Sequence, residues 1–151
     1  MQTNAEIVLA TFRAVEKRDP DRLFALCSDD VEFHDAPSLP YGGAVRGKAT
    51  LRERLETAPE TTWLGTWGAL QPTEAERRMD PRVVASEGDE VTVVFTQRAV
   101  GADGERFGSP VLALYEVRDG KLARAQMFHY DTAAILAFLE RAAGSSGPLA
   151  A

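Results

Sequence analysis

The chain reads as an α+β fold: a cone-shaped α+β barrel in which three N-terminal helices pack on a curved antiparallel or mixed sheet, followed by a C-terminal helix. Three observations predict it. Apolar residues recur at helical spacing near the start, as Ile7, Val8, Phe12 and Val15. A long middle stretch alternates with a period of two between turn signals at Gly88-Asp89, Ala102-Asp103-Gly104 and Asp119-Gly120. A second apolar stripe, Ile135, Leu136, Phe138 and Leu139, then returns to helical spacing.

Taken in order, Asn4 suits the cap of a first helix running through Arg18, which Asp19-Pro20-Asp21 breaks. Pro20 fits the first turn of a short second helix ending near Cys27. Asp30 to Asp35 alternates as a strand and stops at Pro37, where a loop rich in turn residues runs to Gly43. Gly47-Lys48-Ala49-Thr50 leads into a third helix through Thr57. Trp63, Gly65 and Trp67 alternate, predicting a strand that Pro72 ends, and Glu74 to Arg78 reads as a solvated, charged helical turn. Strands follow over 82–87, 90–100, 106–117 and 122–130, then a helix from Asp131-Thr132. The expected organisation is one domain over residues 1–143 with a flexible tail over 144–151.

With 151 residues, 44% hydrophobic and 26% charged, the chain has the profile of a soluble protein with one core. The net charge of −6 and the scattering of basic residues among acidic ones exclude nucleic acid as the expected partner. No apolar run approaches the ~20 residues of a membrane helix and the first residues lack a signal-peptide pattern, so the expectation is cytoplasmic, with no membrane partner. Cys27 is the sole cysteine and sits in an apolar run, which predicts a core residue and excludes multi-cysteine zinc sites. Two histidines without a close pair give no metal site.

Asp35 carries the most chemistry. Strand alternation places it with Val31 and Phe33, and Glu32 with His34 on the opposite face. A carboxylate at the end of an apolar face pays desolvation of its charged form, which is how a general base is tuned towards neutral pH. The position equally suits a cap for the turn that Pro37 enforces.

His129 shares a face with Met127 and Ala125, as a satisfied core histidine or as an acid partner to Asp35. Gln97 lies beside Phe95 and Val93 on an apolar face, where a polar group needs a partner, so Gln97 and Phe95 are ligand-contact candidates. Tyr115 shares a face with Ala113 and Val117, a pocket-lining pattern. Tyr41, in the Pro-Gly loop, is either a donor at a pocket mouth or a surface side chain, and Trp63 either floors a flat-ligand site or fills core.

The stretch Arg18-Asp19-Pro20-Asp21-Arg22-Leu23-Phe24-Ala25-Leu26-Cys27-Ser28-Asp29-Asp30-Val31-Glu32-Phe33-His34-Asp35, with Val45-Arg46-Gly47-Lys48-Ala49-Thr50-Leu51, Asp119-Gly120-Lys121-Leu122 and Tyr130-Asp131-Thr132-Ala133-Ala134-Ile135-Leu136, resembles the nuclear transport factor two-like superfamily. The resemblance is to its SnoaL-like polyketide cyclase and ketosteroid isomerase-like branches. It implies that Asp35 falls at the position of the isomerases' general base, while their oxyanion-hole tyrosine and second aspartate fall at Thr11 and near Ala113. The Asp–Arg–Asp set of epoxide hydrolases falls near Thr96, Val94 and Met127 or Phe128 and is absent; His129 and Asp131 are loosely similar to the cyclases' pair. The implied function is cofactor-independent proton transfer, isomerisation or cyclisation of a small, largely apolar polyketide- or terpenoid-like molecule, in a protein that forms a homodimer. Asp35 and His129 would be catalytic, and Tyr41, Trp63, Phe95, Gln97, Tyr115 and Met127 would contact substrate. A non-catalytic binding protein using the same pocket, or a dimeric interaction module, are the alternatives.

Overall fold

The first helix begins where Thr3, not Asn4, can satisfy its open N–H groups. Thr3 Oγ1 accepts the Glu6 N–H at 3.1 Å and Glu6 Oε2 accepts the Thr3 N–H at 3.2 Å, a reciprocal cap. The Asn4 side chain instead donates to the Gly88 carbonyl at 3.1 Å. Helix α1 (Asn4–Glu16) buries Ile7, Val8, Thr11 and Phe12 against the sheet. Helix α2 (Pro20–Leu26) starts at Asp19, whose Oδ1 accepts the Arg22 N–H at 3.0 Å, with Pro20 in the first turn. The structure, a computed structural model, describes residues 2–146.

Strand β1 (Cys27–Asp35) follows directly, and β2 (Gly43–Arg46) pairs back on it antiparallel, with Phe33 opposite Val45 and Asp35 opposite Gly43. Sequence reading gave no strand at β2. Its four residues are too short for a visible alternation, and pairing to β1 creates it. Gly42 makes the intervening loop possible, because a Cβ there would lie 2.0 Å from the Ala36 carbonyl oxygen.

After α3 (Lys48–Thr57), the expected strand around the two tryptophans is helical instead: α4 (Trp63–Trp67) lies between single 3₁₀ turns at Pro59–Thr61 and Gly68–Leu70. Thr62 Oγ1 caps α4 by accepting the Gly65 N–H at 3.0 Å. Gly65 lets the turn close on Pro59, whose carbonyl oxygen would be 1.8 Å from an added Cβ. Helix α5 (Glu74–Arg77) is also less solvated than its charges suggest. Glu76 is buried, and its Oε1 accepts the Thr73 N–H at 2.9 Å and the Thr73 hydroxyl at 2.8 Å. Those bonds hold its carboxyl below the usual range.

Strands β3 (Arg82–Glu87), β4 (Glu90–Val100), β5 (Arg106–Arg118) and β6 (Lys121–His129) form an antiparallel meander. β1 joins its far side parallel to β6, so the six-stranded sheet has the order β2-β1-β6-β5-β4-β3. Helix α6 (Thr132–Ser146) continues past residue 143, where a flexible tail was expected, and residues 147–151 lie outside the described residues.

Alternation along the strands sets what each face meets. Val91, Val93, Phe95 and Gln97 of β4, and Val111, Ala113, Tyr115 and Val117 of β5, turn inward beneath α1 and are buried. They form the main apolar cluster with Phe12, Val31, Leu122 and Ala125. A second cluster gathers Trp67, Phe138, Ile135, Leu39 and Tyr41, with Phe107 packed against it. On the outer face, Leu112 and Phe128 stand opposite one another and are exposed. No helix among the described residues is long and apolar enough to cross a membrane.

Candidate functional site

Between α1, α2, α3, α4 and the inner face of the sheet lies a mostly apolar cavity of about 220 Å³. Each of the eight side chains singled out from the sequence, Asp35, His129, Tyr41, Trp63, Phe95, Gln97, Tyr115 and Met127, borders it.

The sheet brings Asp35 and His129 together. Asp35 ends β1 and His129 ends β6, and the parallel register pairs Phe33 with Ala125, so both strand ends reach the same edge of the cavity. His129 Nε2 and Asp35 Oδ1 are 2.6 Å apart. Oδ1 also accepts the Ala36 N–H at 2.9 Å; an ionised carboxylate can only accept, so the pair is a hydrogen bond in the His129 form that carries its hydrogen on Nε2. The His129 side chain is 3% exposed and that of Asp35 15%. Among the described residues Asp35 Oδ2 receives no hydrogen bond, while His129 Nδ1 is buried without a partner. One carboxylate oxygen is therefore committed to holding the geometry and the other is uncommitted. As expected for positions on one strand face, His34 Nε2 meets Glu32 Oε1 at 2.8 Å, although His34 also borders the cavity.

Tyr115 comes from β5, opposite Ala125, and its hydroxyl makes no hydrogen bond among the described residues. Burial, reinforced by the nearby Asp35 charge, holds that hydroxyl well above the ordinary tyrosine range, so it remains a donor. Tyr41 is buried rather than on the surface. Its hydroxyl lies beside the Trp67 indole, yet neither Tyr41 Oη nor Trp67 Nε1 reaches hydrogen-bond geometry with any partner. Burial raises the Tyr41 hydroxyl as well.

The partner that Gln97 requires is Trp63. The indole Nε1–H donates to Gln97 Oε1 at 3.0 Å, tying α4 to β4 across the cavity. Trp63 thus contributes a satisfied ring rather than an open donor. Arg18 was missed in the sequence reading, which saw only the end of a helix. It too borders the cavity, with its guanidinium carbon 5.6 Å from the centre of the Trp63 ring. Cys27 is buried, and burial pushes its thiol up to about 11. Among the described residues no group of three or more His, Cys, Asp or Glu side chains could hold a metal ion.

An open curved mixed sheet with helices enclosing a cavity on one face is the NTF2-like architecture, and solved structures of that fold match it. An NTF2-like protein of unknown function from Burkholderia pseudomallei K96243 is 18% identical, with a TM-score of 0.72, over 92% of this chain and 98% of that one. The chain belongs to the SnoaL-like domain family, whose model matches residues 8–125. It is similar to TerC, co-crystallised with polyporic acid, at 25% identity and a TM-score of 0.72 over 91% of this chain and 98% of TerC. A candidate polyketide cyclase from Xanthomonas campestris pv. campestris is 20% identical, with a TM-score of 0.63, covering 90% of this chain and 96% of that one. Comparison with curated proteins gives no match.

Proposed function

We propose that this protein catalyses cofactor-independent proton transfer, as an isomerase or cyclase, on a small, largely apolar molecule held in the cavity. The observation that carries the reading is the 2.6 Å contact between His129 Nε2 and Asp35 Oδ1 at the edge of an apolar cavity. Asp35 is the base. His129 and the Ala36 N–H occupy Oδ1 and fix the carboxylate, so the proton goes to Oδ2. The Tyr115 hydroxyl, protonated and unpartnered, donates to the oxygen on which negative charge develops. Both groups border the cavity from its inner-face wall, Asp35 on β1 and Tyr115 on β5, one on either side of β6.

The apolar walls of Phe95 and Met127 exclude water from the reacting carbon and strengthen both interactions. The similarity to TerC, crystallised with polyporic acid, supports a small organic molecule as the occupant, and membership of the SnoaL-like family supports the reaction class.

The test uses hydrogen–deuterium exchange at the α-carbon of 2-tetralone, a bicyclic enolisable ketone, followed by NMR in D₂O. The wild-type protein accelerates exchange, Asp35→Asn lowers that acceleration by about 10²–10⁴-fold, and Tyr115→Phe lowers it by about 10²–10³-fold. Exchange at the buffer rate with wild-type protein, or acceleration that survives Asp35→Asn, would sink the reading.

A further inference from the structure

Arg18 is placed at some cost. Helix α1 ends at Glu16, and Arg18 takes a left-handed backbone with φ 56°, a conformation in which glycine is favoured. Its side chain then folds onto the cavity wall. Nη1 donates to the Val15 carbonyl at 2.8 Å, Nη2 donates to Gln71 Oε1, and the guanidinium lies over Trp63. Gln71 is buried and is itself fixed, since its Nε2 donates to the Arg98 carbonyl at 2.8 Å.

None of these partners carries negative charge. Among the described residues no carboxylate lies within ion-pairing distance of Arg18. A neighbouring charge has the same sign: Arg77 Nε donates to the backbone carbonyl of the same Gln71 at 2.9 Å. Burial first, and Arg77 second, disfavour the charged form of Arg18. Charges taken out of water are ordinarily paired. This one is half-buried, crowded by a like charge and still has guanidinium donors uncommitted. The overall charge of −6 supplies no general attraction for anions, so the positive corner at Gln71 is local.

We infer that Arg18 is the specificity residue of the cavity and selects a planar, aromatic ligand bearing an acidic oxygen, a carboxylate or an ionised enol, against neutral molecules of the same shape. The acidic oxygen accepts from the uncommitted guanidinium donors, and the ring lies along the Trp63 side of the cavity. The inference rests on the cavity being a ligand site, as proposed above, and names the chemistry of what enters it.

The probes are 2-naphthoate and 2-naphthamide, which share a skeleton and differ in charge, titrated calorimetrically into the full-length protein at low salt. Wild-type protein is expected to bind 2-naphthoate about ten- to a hundred-fold more tightly than 2-naphthamide. Arg18→Gln abolishes that preference by weakening 2-naphthoate alone, and Arg18→Lys restores part of it. Should Arg18→Gln fail to fold, wild-type protein suffices: raising salt weakens 2-naphthoate and leaves 2-naphthamide unchanged. Equal affinity for the two probes, no binding of either, or parallel loss of both in folded Arg18→Gln would overturn the assignment. The two readings fail separately, because proton transfer is judged by exchange in Asp35→Asn and this inference by probe selectivity, which does not depend on turnover.

Discussion

Trp67, Phe107 and Phe138 stack nearly parallel, with ring centres 4.7–6.2 Å apart and interplanar angles of 10–24°. Phe12 instead meets Phe95 and Tyr115 edge-on, at 67° and 69°, with centres 5.1 and 5.8 Å away. Apart from the partly buried Phe107 these rings are buried; the second group borders the cavity, whereas Trp67, Phe107 and Phe138 do not. Polar atoms in the two regions have correspondingly different meanings. Tyr41 borders the cavity, but its Oη, like Trp67 Nε1 beside the stack, is buried without a partner among the described residues, which costs stability. The Tyr115 hydroxyl, equally without a protein partner, faces space that a ligand can occupy. An unpartnered group thus reads as a defect or as a binding group according to whether anything can reach it.

The largest effect that tests this contrast is Phe138→Ala. Removing a ring from the closed stack is expected to cost about 3–5 kcal/mol in urea unfolding, whereas Phe95→Ala, which enlarges a space already present, falls at the low end of that range. The reverse order would break the comparison.

Next comes Cys27, in the cavity-bearing cluster. Its thiol is raised in the folded protein to about 11, so folding favours the protonated form. The stability this contributes is complete below the ordinary thiol range and is lost as pH rises through that range towards about 11, a change of roughly 2–3 kcal/mol. Urea titrations from pH 7 to 10.5 check it: the stability gap between wild type and Cys27→Ala should narrow with pH. A constant gap would mean that water reaches the thiol.

The smallest effect is Tyr41→Phe, which removes an unsatisfied hydroxyl. It is expected to leave stability unchanged or raise it by up to about 1 kcal/mol, measured by thermal or urea unfolding. A loss larger than that would reveal a bond between Tyr41 and Trp67 and blur the distinction between the two regions.

Much of this was legible in the sequence, for reasons particular residues make plain. The meander was readable because Val91, Val93, Phe95 and Gln97 alternate over a strand long enough to show its period. Asp35 and His129 were each identifiable from the apolar company they keep, and their pairing was one of two readings of His129, but no local pattern decided it. It depends on the parallel alignment of β1 with β6, which no local pattern encodes. Trp63 and Trp67 misled because residues four apart fall on one side of a helix and also on one face of a strand. Within five residues the two periods are indistinguishable, and the buried contacts of Trp67 decide for helix. Arg18 was overlooked because a charged residue after a helix ordinarily faces water. The left-handed turn that directs it inward is a property of the folded chain.

The strand that carries Asp35 is also the one with a neighbour that arrives last. β3 to β6 pair with their immediate successors, but β1 must wait for a partner 94 residues away in the case of the Asp35–His129 contact. On the ribosome, β1 and β2 therefore emerge as a two-stranded ribbon with one edge open until β6 has been made, and such a ribbon is only marginally stable alone. Closing so long a loop carries an entropic cost that the local hairpins do not bear, which makes the β1–β6 seam the slow event in assembly. The Asp35–His129 contact is consequently a reporter of completion: the histidine meets its carboxylate only after the last long-range join of the sheet is made.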